Sequence, residues 1–168
     1  MEPLHHRAVP RRSLLALLFL GAAGLAMPAR AEPAALASKR ELPKGRPDVI
    51  LDRLDLPDDL ERAAQIRKQL REILKREVRR VTWGAGTGNR ITYRFTVTRL
   101  TIEQQGDVVK VVCSATGRLP KGKVAKSHLS FGGPANKRSE VVRRVLEIVA
   151  RGVVARLAEL ERERRGYN

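Results

Sequence analysis

One cysteine, one tryptophan and three histidines are all that 168 residues offer of the side chains most often used for redox chemistry, metal binding or nucleophilic attack. A lone Cys113 makes no internal disulfide and no zinc site by itself. His5 and His6 fall in an N-terminal segment that reads as a leader, which leaves His128 alone and excludes a His-rich metal site or an H-E-x-x-H zinc motif. No G-x-S-x-G nucleophile turn is present. Aromatic residues make up only 4% of the chain, so the core must be built from Val, Leu, Ile and Ala. No apolar run reaches the ~20 residues of a membrane-spanning helix.

What is abundant is positive charge, a formal +16 with a sequence pI near 11.2. The N-terminus has to be set aside before that charge is used. Arg7, Arg11 and Arg12 precede an apolar stretch from Leu14 to Ala26, and Ala29-Arg30-Ala31 follows as an A-x-A cleavage site before Glu32-Pro33. Basic region, apolar region and small-residue site together predict a signal peptide over residues 1–31, cut after Ala31. Pro10-Arg11-Arg12-Ser13-Leu14-Leu15 resembles the twin-arginine motif, and the general secretory route stands equally open. No cysteine stands near the cut, so lipid anchoring is not expected, and the processed chain is expected in the periplasm or outside the cell. It keeps 30 basic against 17 acidic residues, a formal +13. The charge therefore belongs to the exported part. Arginine exceeds lysine, however, and a high-GC genome produces the same bias.

The remaining length suits one domain, and 42% hydrophobic content supplies a core. Residues 32–47 are small, charged and proline-rich, and read as a flexible lead. A short strand is expected from Asp48. Asp58 and Glu61 have the spacing of a capping box for a helix over 58–80, whose apolar face includes Leu60, Ile66, Leu70, Ile73, Leu74 and Val78. From Arg90 to Glu103 alternation predicts a strand, with a bulge near Thr98-Arg99 where the phase slips. Gln104-Gln105-Gly106-Asp107 reads as a hairpin turn into a strand from Val108 to Thr116, with Cys113 on its apolar side. A further strand is expected over Ser127 to Phe131, then a helix capped by Ser139 and running to about Arg165. Its buried stripe holds Val142, Val145, Leu146, Val149, Val153, Leu157 and Leu160, and Gly152 marks close approach to the sheet. The sum is a two-layer α+β sandwich: a mostly antiparallel sheet of about four strands with two long helices on one face.

The most enzyme-like stretch is WGAGTGNR, Trp83 to Arg90. Phosphate-cradling loops run from strand to helix, whereas this one runs from helix to strand and lacks the Lys-Ser/Thr pair. Its glycines are therefore expected to serve positive φ angles rather than a nucleotide, and no cofactor is expected. Cys113 with His128 is the one conceivable nucleophile pair, against a buried thiol and a surface imidazole as the simpler reading. Asp52, Asp55, Asp58 and Asp59 cluster as an alternative Ca²⁺ or catalytic site, or as charges favouring the first helix's dipole. The stronger lead is basic. Arg118, Lys121, Lys123 and Lys126 sit on one loop, and Lys137, Arg138, Arg143 and Arg144 open the last helix. If the two runs meet, they form one anion-binding face, since arginine forks take phosphate or carboxylate oxygens in pairs.

The runs GDVVKVVCSATGRLPKGKVAKSHLSFGG and EVVRRVLEIVARGVVARLAEL, within residues 90 to 160, resemble small exported proteins of Gram-negative bacteria that have no assigned activity. The layout is more distantly similar to the lipopolysaccharide-assembly lipoprotein family and the penicillin-binding-protein activator family, although the lipid-attachment cysteine of both is missing. That resemblance implies a non-enzymatic envelope accessory protein whose partner is a protein or an anionic polymer. The alternatives are a generic polyanion binder (lipopolysaccharide, cell wall or nucleic acid) and an enzyme using Cys113 or the Asp cluster. Export and the lack of interleaved aromatics argue against nucleic acid.

Overall fold

In a computed structural model, which describes residues 41–120 and 122–167, the sheet starts with β1 (Asp48–Asp55). The element order continues with α1 (Ala63–Arg80), β2 (Arg90–Gln105), β3 (Val108–Arg118), β4 (Val124–Pro134) and α2 (Arg138–Arg165). These residues fall within one compact unit, Ala37–Asn168. The predicted leader, with Ala29, Ala31 and the arginine pair, lies outside the described residues, as does Lys121. No described helix is long and apolar enough to cross a membrane.

The fold is the expected α+β class, a four-stranded sheet in the order β1-β2-β3-β4. β2, β3 and β4 pair antiparallel, whereas β1 joins β2 in parallel, so the sheet is mixed. Neighbouring parallel strands need a crossover, and α1 supplies it. Gln105 pairs with Val108 across a two-residue turn in which Gly106 has φ 56°, as a type II′ hairpin requires of its first central residue. The bulge expected near Thr98-Arg99 is present: the register slips between Val97 and Arg99, and Leu100 and Ile102 return to the apolar face.

That face carries Ile91, Tyr93, Phe95 and Val97 from β2 and Val109, Val111, Cys113 and Ala115 from β3, all 5% exposed or less. α2 covers it, packing on β3 and β4. The helix runs antiparallel to β4. A Cβ on Gly133 would lie 2.6 Å from Val141 Cγ2, and one on Gly152 would lie 3.0 Å from Ser127 Oγ. Gly152 thus stands where the helix approaches the sheet. α1 rests chiefly on α2.

Both expected helix caps fail. α1 starts at Ala63, after Arg62 adopts a left-handed conformation (φ 56°, ψ 33°), and no side chain caps it. The reversal at Arg62 cuts Asp58 and Glu61 off from the helix they were expected to open. α2 starts at Arg138, out of a 3₁₀ turn at Ala135–Lys137, so Ser139 lies inside the helix and also caps nothing.

Candidate functional site

Strand β4 stands between the two basic runs. Arg118 ends β3 and Lys123 precedes β4, but Lys126, expected on the loop, is inside β4 and pairs with Thr116, because the strand starts at Val124. Lys137, Arg138, Arg143 and Arg144 follow the other end of that strand. Eleven extended residues put Lys123 and Lys137, on either side of the strand, roughly 35 Å apart. Neither described cleft gathers residues of both runs. Among the described residues, none of these seven cations makes an ion pair.

The second group instead meets α1. Between the N-terminal halves of α1 and α2 lies a cleft of about 860 Å³. From α1, Ile66, Gln69, Ile73 and Arg76 line it at helical spacing, with Arg62 just ahead of the helix, and from α2, Ser139, Val142, Arg143 and Glu147 do the same. Ile66, Ile73, Ile102 and Val142 supply its apolar surface. Arg62, Lys68, Arg138 and Arg143 are the free cations around it. Glu147 accepts a hydrogen bond from Arg76 Nη2 at 3.0 Å and is thereby neutralised, while Glu61 and Glu72 keep the cation excess modest. Of the sequence-nominated cations, Arg138 and Arg143 are in this cleft. Arg62 and Lys68 were missed, because only the tertiary arrangement turns them toward α2.

A second groove, of about 710 Å³, separates β1 from α1. Val49, Leu51 and Leu54 line one wall, Leu74 and Val78 the other. Charges of both signs surround it, Arg71 and Lys75 against Asp48 and Asp52.

Cys113 and His128 do not form a pair. Ser114 pairs with His128 in the β3–β4 register, so His128 lies on the uncovered sheet face, where its Nδ1 is 2.8 Å from Ser114 Oγ. Cys113 points the other way, fully buried under the helix layer, and burial pushes its thiol up to about 12. The pleat therefore holds the two side chains on opposite faces. In the Asp cluster, Asp52 accepts from Arg94 Nε at 2.9 Å and Asp55 from Arg53 Nε at 2.8 Å. No group of three or more potential metal ligands gathers among the described residues.

The glycine loop is packed as structure. Trp83 is buried and donates its indole N–H to the Val78 carbonyl at 3.1 Å, and Arg162 donates to the Thr82 carbonyl at 2.7 Å. Gly84 takes φ 66°, with Arg162 and Tyr167 against it, and Gly88 takes φ 86°. Gly86 departs from the expectation. Its φ is not positive, and the Lys44 carbonyl occupies the place of a side chain.

Two buried carboxylates were not foreseen. Glu77 lies between α1 and α2 and meets Arg76, Arg80 and Arg151 at 3.3, 3.0 and 3.4 Å. Glu161 accepts from Arg164 and Arg165 at 2.7–2.8 Å. Both fall on their helices' apolar stripes, Glu77 three residues after Leu74 and Glu161 four after Leu157, which was the available signal.

No family model matches the chain, and no curated protein matches it. Among solved structures, the chain is similar to a Xanthomonas campestris protein of the DUF330 family, with a TM-score of 0.53 and 9% identity over 74% of this chain and 91% of that one. A minor lipoprotein from Acinetobacter baumannii aligns over 70% of this chain and 94% of that one, with a TM-score of 0.38 and 12% identity. At 9% identity, the first likeness is one of fold alone.

Proposed function

We propose that this protein is a non-enzymatic accessory component of the bacterial cell envelope, and that it binds an anionic partner group in the cleft between α1 and α2. The observation that carries this reading is the grouping of Arg62, Lys68, Arg138 and Arg143, none of them ion-paired among the described residues, around an apolar surface. Bulk positive charge attracts any polyanion and is lost with salt. Cations beside a desolvated apolar surface hold an anion more selectively, because guanidinium forks keep their geometry and water is displaced around them. The leader-like N-terminus supports an envelope location.

The test is binding of the purified protein to lipopolysaccharide, cell-wall fragments, anionic vesicles and DNA, at low salt and at ~0.2 M salt. One member is expected to stay bound at high salt and to weaken about 10-fold or more when Arg138 and Arg143 are changed to Ala. Changing Arg118 and Lys123, at the other end of β4, should leave that binding intact. Equal, salt-labile binding to every anion, insensitive to Arg138 and Arg143, would make the protein a generic polyanion binder and sink the cleft as its site.

A further inference from the structure

The outer edge of β4 points to a second copy of this chain. β4 is a terminal strand, with no described strand beyond it. Its eleven residues, VAKSHLSFGGP, hold one charged side chain, Lys126. Long edges without charge are templates for strand addition. Apolar surface stands beside this one. Phe131 is on the helix side of β4 and is 41% exposed, as is Ile148 of α2. Val141 stands at Gly133 and Gly152 at Ser127, so Ile148, one turn before Gly152 on the same helix flank, comes level with the middle of the strand near Leu129. Leu129, Phe131 and Ile148 thus form an apolar seam along an unpaired backbone edge.

We propose that the protein forms a two-fold dimer by antiparallel pairing of β4 with β4 of a second copy, centred on Leu129. The sequence of the strand favours this occupant over an unrelated one. A two-fold axis at Leu129 is the register in which all eleven residues, Val124–Pro134, find a partner. Lys126 then lies opposite Gly132, so the strand's one charge meets neither its own copy nor any other charge. His128 lies opposite Ser130, polar against polar on the open face. On the helix side, Leu129 meets Leu129, and Phe131 meets Ser127 of the second copy, where Gly152 leaves room beside it for the ring. Ile148 of each α2 flanks the same axis. Like charges directly opposed would cost stability, and no such pair arises. The contact is isologous and therefore closes at two copies, giving one eight-stranded sheet with the helices of both copies on one face. It uses a different part of the molecule from the α1–α2 cleft, so the two proposals stand or fall separately.

The test combines equilibrium sedimentation of the purified protein with single-cysteine cross-linking in a Cys113→Ala background. A dimer is expected. Phe131→Glu and Ser130→Lys should each weaken it by about 10-fold or more while leaving the circular dichroism spectrum and thermal transition of the subunit in place. Leu129→Cys should cross-link to its own copy under mild oxidation, because directly opposed positions bring Cβ atoms to about 4.5–5.5 Å. Ser130→Cys, facing His128 instead, should not. A monomer at ~100 μM, well above the range of a stable dimer, would overturn the proposal. So would a dimer indifferent to both edge substitutions, or one that cross-links through position 130 and not 129.

Discussion

Strand β1 carries Asp48, Asp52, Arg53 and Asp55 in eight residues, whereas β4, the other terminal strand, carries Lys126 alone among eleven. β1 is also bulged at Asp52, and its acids are engaged by Arg90, Arg94 and Arg53. Charge and a bulge are standard ways of keeping an edge from pairing with another chain. β4 has no bulge in its pairing with β3 and only the one charge, Lys126, although α2 packs along it. The difference shows that helix cover and edge protection are separate matters. α2 buries Ala125 but leaves Phe131 and the backbone edge of β4 open, while β1 borders a groove and is guarded by its own side chains.

The largest effect should come from loosening the helix that shelters β3 and β4. Leu157 is fully buried, and Leu157→Ala is expected to cost about 2–5 kcal/mol in urea denaturation. Cys113 provides a second reading. Its thiol, pushed up to about 12 by burial, contributes stability that is full below the ordinary thiol range and falls as pH rises toward that value. At neutral pH it should react with a thiol reagent only in opened molecules. The labelling rate in Leu157→Ala should therefore rise by about 30-fold to several thousand-fold. An unchanged rate would mean that α2 is not what closes the sheet over Cys113.

A smaller effect is expected at the C-terminal end of the same helix. Burial would push the Glu161 carboxyl up, but the hydrogen bonds and charges of Arg164 and Arg165 outweigh it and hold the group below its ordinary value. A depressed carboxyl contributes stability above the ordinary carboxylate range and loses it as pH falls through the lowered value. Changing both Arg164 and Arg165 to Ala leaves burial unopposed. The acid unfolding midpoint should then move to higher pH, and no movement would show that Glu161 does not help set the acid limit.

The smallest change in stability belongs to β1. Asp52→Asn breaks an exposed pair with Arg94 and should cost no more than about 1 kcal/mol. Its consequence for assembly sharpens the contrast. Combined with Asp55→Val, it removes two of the guards, and the protein is expected to grow beyond a dimer at high concentration in light scattering. If assembly stays unchanged, the charges on β1 are not what keeps that edge single.

Much of this architecture could be read from local pattern. Alternation located β2 and β3 and the bulge at Thr98, and Gly106 located the turn, because period-two burial and positive φ are properties of a few adjacent residues. The stripe from Val142 to Leu160 located α2. The caps failed because Asp58, Glu61 and Ser139 fit a helix start in composition, while Arg62 and the 3₁₀ turn set the actual starts through backbone geometry. Glu77 and Glu161 went unread because a charged residue on an apolar stripe looks like a break, until arginines from neighbouring turns or from α2 are seen around it.

The candidate site was legible only in part. Arg138 and Arg143 stood out as charge, but Arg62 and Lys68, which line the same cleft, did not. The sequence by itself determined the secondary elements, the buried faces and the surplus of arginine, all of which depend on side chains a few positions apart. The tertiary structure alone decided that α2 runs back along β4 and lies against α1. It also brings Arg62 and Lys68 beside Arg138 and Arg143. Which helix ends meet is settled by packing between residues some seventy positions apart, and no local spacing records it.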